Sequence, residues 1–70
     1  MTVHISLTFD RPIPFSVCHY IYTQWALGLP SQTRLPNKNW RLSIMCRDYQ
    51  VPAVVSYAKR QNGYLDVSLY

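Results

Sequence analysis

The chain predicts a small α/β or α+β domain: a two-layer sandwich in which a three-stranded sheet packs under one long and one shorter helix, in the order β-α-β-α-β. Three observations predict it. Thr2 to Phe9 and Trp40 to Arg47 alternate apolar and polar residues with the period of two that a half-buried strand requires. Phe15 to Pro30, between them, carries apolar residues at steps of three and four, the period of one helix face. Seventy residues, 49% hydrophobic and 14% charged, suit a single domain spanning 1–70, with no segment polar enough to read as disordered.

In the first strand, Val3, Ile5, Leu7 and Phe9 point one way and Thr2, His4, Ser6 and Thr8 the other. Asp10 to Pro14 turns the chain, because Pro12 and Pro14 forbid a helix running in from upstream. The helix that follows carries Phe15, Cys18, Tyr22, Trp25 and Leu29 on one stripe, widened by Val17 and Ile21, and is expected to form the core. Gly28 is placed to take a left-handed cap, and Pro30 blocks continuation. Pro30 to Asn39 has no period and two prolines, so it reads as a loop of about ten residues, a length often tied to function.

In the second strand, Trp40, Leu42, Ile44 and Cys46 share one face and Arg41, Ser43, Met45 and Arg47 the other. Val51, Val54, Val55 and Ala58 then recur at helical spacing, Pro52 suits a first turn, and Lys59 and Arg60 suit a helix C-terminus. Asn62-Gly63 is also a strong hairpin signal, so a C-terminal β-hairpin is the alternative. Its register opposes Leu65, Val67 and Leu69 to Arg60, Ala58 and Ser56, which leaves the apolar face half empty and favours the helix. The third strand, Tyr64 to Tyr70, sets Leu65, Val67 and Leu69 against Tyr64, Asp66, Ser68 and Tyr70.

Seven Lys and Arg face only Asp10, Asp48 and Asp66, and the net charge of +4 favours an anionic partner. No apolar run is long enough to span a bilayer, and the start lacks the basic-then-apolar layout of a signal peptide, so a cytoplasmic protein without membrane contact is expected. Cys18 and Cys46 match no zinc-ribbon spacing and read as reduced, small hydrophobes. No metal and no cofactor is expected, and Gly28 and Gly63 alone build no phosphate-cradling loop. Catalytic parts are few: Cys18 and His19 point about 100° apart on a helix and form no nucleophile and base pair.

Arg34, Lys38, Trp40, Arg41 and Arg47, joined by Lys59 and Arg60, form the most coherent binding signal. The first reading is a non-enzymatic binding protein, in format like the compact inhibitors of phages and mobile elements, docking on a larger protein or nucleoprotein complex. The second is an RNA or DNA binder using those cations on phosphates, with Trp40 or a tyrosine stacking on a base. A third is a small RNA-cleaving toxin with His4 or His19 as general base. Because the core is small, a homodimer is expected through the last strand, at Tyr64, Asp66 and Tyr70.

Overall fold

In the computed structural model, which describes residues 1–69, the chain runs β1 (Thr2–Phe9), α1 (Phe15–Gln24), β2 (Ser31–Arg34), β3 (Trp40–Arg47), a short 3-10 turn (Asp48–Gln50), α2 (Val51–Lys59) and β4 (Tyr64–Leu69). The four strands form one antiparallel sheet in the order β2-β3-β1-β4. β3 therefore lies between β1 and the strand that follows α1, which is the split βαβ arrangement, here in its doubled βαββαβ form. The buried side chains of β1, β3, α1 and α2 form a single cluster, so both helices cover the same face of the sheet.

This corrects the expected three-stranded β-α-β-α-β order. The additional strand lies inside the stretch read as a loop: Ser31–Arg34 pairs with β3, Ser31 opposite Ser43 and Arg34 opposite Trp40. All four of its residues are exposed, so no apolar alternation marks it. The hairpin closes through Pro36, Asn37 and Lys38, with the Lys38 N–H donating to the Leu35 carbonyl at 3.0 Å and the Leu35 N–H to the Asn39 carbonyl at 2.8 Å. Lys38 has φ 72°, the left-handed residue that ends a common kind of three-residue hairpin loop.

The last third is a helix and not the alternative C-terminal hairpin. α2 begins with Pro52 in its first turn and ends at Lys59, and Gly63 at φ 89° turns the chain into β4. A Cβ on Gly63 would stand 2.6 Å from Asp10 Oδ1, because the Asp10 N–H donates to the Gly63 carbonyl at 2.9 Å and draws the two turns together. β4 carries a bulge opposite Phe9. Tyr64 consequently joins the covered face, packing edge-to-face on Phe9 with ring centroids 5.9 Å apart, and Leu65 is left exposed.

The first helix is shorter than expected and is rotated. It ends at Gln24 because Trp25 leaves helical geometry at φ −135°, and the Leu27 N–H then donates to the Met45 carbonyl of β3 at 2.8 Å. Gly28 does not take the left-handed cap. Val17 and Ile21, expected only to widen the stripe, are its buried residues; Cys18 and Trp25 are half-buried, and Phe15, Tyr22 and Leu29 are exposed. The stripe at Phe15, Cys18, Tyr22 and Leu29 thus lies beside the sheet edge and not over its centre. Tyr20 and Trp25 meet Tyr57 of α2, with ring centroids 4.6 and 5.7 Å from it, and hold the two helices together.

The rotation gives a direct expectation. Ile21→Ala, at a fully buried position, costs about 2–5 kcal/mol in urea unfolding. Phe15→Ala, 81% exposed, changes stability by less than about 1 kcal/mol. Equal losses at both positions would contradict the observed face.

Candidate functional site

Connectivity gathers the cations. β1 finishes, β3 begins and β4 begins at the same end of the sheet, since Phe9 pairs with both Trp40 and Tyr64. The β2–β3 turn carries Arg34 and Lys38 there, the start of β3 carries Arg41, and the end of α2 carries Lys59 and Arg60. Arg11 joins them just after β1. It is not among the residues the sequence singles out for binding. Arg47 does not belong to the group: it lies at the far end of β3, roughly 20 Å from Arg41 at 3.3 Å per residue, next to Asp48. Arg47 and Asp48 sum to zero only formally, the Asp48 carboxylate standing 3.7 Å from the Met1 amino group, and the formal net charge of +4 belongs to the opposite end, where Asp10 and Asp66 are the acids.

The other residues expected at a binding site are dispersed. Trp40 is half-buried on the covered side of β3, so it is no open stacking platform. Tyr64 is half-buried against Phe9, Asp66 is exposed on the edge strand, and Tyr70 lies outside the described residues. Among the described residues the uncovered face of the sheet carries no Phe, Tyr or Trp side chain. Its rows are Thr33, Arg41, Thr8 and Asp66, then Ser31, Ser43, Ser6 and Ser68, with His4 and Met45 beyond.

A groove of about 370 Å³ opens between α1 and β2, lined by Ile13, Phe15, Cys18, Tyr22, Leu29 and Gln32 among others. The two-proline turn and β2 build its floor: Gln32 Oε1 accepts the Ile13 N–H at 2.7 Å, and Gln32 Nε2 donates to the Ile13 carbonyl at 3.3 Å. One side chain thus pairs a backbone unit as a neighbouring strand would. Phe15 and Leu29, each 81% exposed, form the walls, and His19 stacks on Phe15 at 5.7 Å. The volume falls within the range of binding clefts, and the lining is mostly apolar. Of these, Phe15, Cys18, Tyr22 and Leu29 belong to the stripe that periodicity assigns to the core.

The candidate catalytic groups do not converge. His4 lies on the uncovered face of the sheet, whereas Cys18, His19 and Cys46 belong to the helix-covered side. Burial pushes the Cys18 and Cys46 thiols up, the opposite direction from an activated nucleophile. Among the described residues no three His, Cys, Asp or Glu side chains gather as metal ligands, and no helix is long and apolar enough to cross a membrane. Comparison with known proteins finds no match for the chain among family models, curated proteins or solved structures, so the reading of the site rests on its geometry.

Asp10 and Arg11 provide a pH test of the cationic end. The guanidinium donates to the carboxylate at 2.8 Å and holds Asp10 below the usual carboxylate range, with Arg11 raised in return. A carboxyl lowered in the folded state contributes stability that is present above the ordinary carboxylate range and is lost as pH falls through its folded pKa. Carboxyl-carbon NMR titration is expected to give Asp10 a low midpoint that rises in Arg11→Ala; a midpoint unmoved by the substitution would refute the pairing.

Proposed function

We propose that the chain is a small non-enzymatic binding protein, of the inhibitor or accessory-factor kind, that docks on a larger protein presenting an apolar side chain within an acidic surface. One observation carries this reading: the apolar stripe of α1 is left uncovered beside β2, with Phe15 and Leu29 as exposed walls of a cleft large enough for an anchoring side chain. Charge identifies the kind of partner. No carboxylate lines the groove, and Arg34 stands two residues beyond Gln32 on the same face of β2, toward the cationic end. An apolar centre with a cationic rim favours an acidic counterpart. A cytoplasmic setting accords with the two unpaired thiols, Cys18 and Cys46.

The test uses substitutions on the groove walls, where the fold bears little load. Immobilised wild-type protein is expected to retain an acidic protein from lysate, and Leu29→Asp, folded by circular dichroism, is expected to lose it. Retention undiminished in Leu29→Asp would reject the groove as the docking site.

A second reading, binding to RNA or DNA, is favoured by the concentration of six of the seven Lys and Arg at one end. Phosphates are the contacts this arrangement supports best, because among the described residues the open sheet face carries no Phe, Tyr or Trp for a base to stack on. Affinity for a single-stranded oligonucleotide is then expected to fall with log salt at a slope of roughly −0.7 per phosphate contact, and to fall less steeply in Arg34→Ala. A flat salt dependence would dismiss this reading and leave the protein-docking one standing.

A further inference from the structure

The two edges of the sheet are finished differently. β2 is four residues long and stands between Pro30 and Pro36, and beyond its start the Leu27 N–H already occupies the Met45 carbonyl. Short length and flanking prolines are ways of closing an edge to further pairing. β4 is six residues long, carries the single charge Asp66, and exposes Leu65 (49%) and Leu69 (59%). We infer that β4 is the pairing edge of a two-fold homodimer, in an antiparallel register centred on Val67, which joins two sheets into one of eight strands.

The hydrogen-bond phase selects the residues. The Asp10 N–H donates to the Gly63 carbonyl, so alternate residues Thr8 and Ser6 of β1 also face β4. Their partners Asp66 and Ser68 face inward, and Val67 and Leu69 turn their backbone groups outward. The Val67 N–H accordingly stands outside the ladder and donates to the Asp66 carboxylate at 2.8 Å. In the register centred on Val67, the two Val67 residues exchange backbone bonds and that donor turns to the second copy. Leu65 then meets the partner's Leu69 on one side of the sheet, and Asp66 meets the partner's Ser68, whose hydroxyl can donate to the released carboxylate.

Charge favours a second copy in this register. A register centred on Asp66 would set the two Asp66 carboxylates directly opposite each other, a destabilising pair, and the Val67 register avoids this. The two-fold axis also sends the two cationic ends to opposite corners of the eight-stranded sheet, so the charge of +4 on each chain is kept apart. The shared edge covers two exposed leucines from each chain and leaves no long open strand.

Light scattering tests the assembly and cross-linking tests the register. At about 100 µM the wild type is expected to show twice the single-chain mass of 8.2 kDa, and Leu69→Lys, at an exposed position, to weaken self-association at least tenfold. Positions 66 and 68 of the two chains would form a non-hydrogen-bonded pair with Cα atoms about 4.5 Å apart, within disulfide range. On oxidation an equimolar mixture of Asp66→Cys and Ser68→Cys chains is expected to give the cross-linked dimer, and either chain alone to give several-fold less. A wild type that stays at single-chain mass overturns the dimer. A dimer that Leu69→Lys leaves intact, or that the mixed cysteines fail to link, overturns the β4 interface.

Discussion

The burial of one face of β1 is the constraint on which the remaining structure depends. Ile5, Leu7 and Phe9 are almost without exposure, and among the described residues β1 alone is paired on both sides along most of its length, with β3 and with β4. A strand in that position must have its backbone satisfied left and right and its apolar side chains covered above. The first requirement places β3 and β4. The second places both helices on the same face, through Val17 and Ile21 of α1 and Val54 and Ala58 of α2. With each fully buried side chain of this size contributing roughly 1.5–3 kcal/mol, a domain of seventy residues has few such contacts to lose.

Covering one face leaves the other without a helix, and among the described residues the chain lines it mainly with hydroxyls and with no Phe, Tyr or Trp. The serine row across all four strands and the threonines beside Arg41 give a flat polar surface, which needs no partner to remain in water. The apolar surface that remains exposed is at the margins. α1 is only ten residues long and is turned so that Val17 and Ile21 reach the sheet, so Phe15, Tyr22 and Leu29 overhang β2. The Gln32 amide, bonded twice to Ile13, keeps that overhang open as a groove in place of letting the turn collapse into it.

The asymmetry of charge has a topological origin. In the βαββαβ order the β2–β3 turn, the end of β1 and the α2–β4 turn all lie at one end of the sheet, so basic residues far apart in sequence come to the same end of the molecule. Arg47 escapes because eight residues of strand separate the two ends of β3. A continuous surface results, from the apolar groove through Arg34 to the cationic end, and the protein-docking proposal draws on all of it. The β4 edge is the opposite edge of the sheet from β2, so the proposed self-association and the proposed docking would use different residues.

Alternation and punctuation were sufficient for the elements whose own residues carry the signal. β1 and β3 have the bounds their period of two gives them, and α2 follows from its apolar spacing and Pro52, because in each the burial pattern repeats within the segment. The basic residues were legible too, as a composition with few acids. What only the tertiary structure decided are the features set by distant partners. β2 is a strand because β3 supplies its hydrogen bonds, although none of its side chains is buried. α1 buries Val17 and Ile21 and not the Phe15 stripe because the sheet beneath has room for one narrow face, a choice periodicity cannot make when apolar residues surround most of the helix. Tyr64 turns inward because a bulge opposite Phe9 resets the alternation of β4. Arg11 joins Lys59 and Arg60 because the Asp10 amide bonds to Gly63 across more than fifty residues of chain. Local pattern determines which segments become helix or strand; contacts between segments determine which of their faces meet water, and the candidate site is made of those faces.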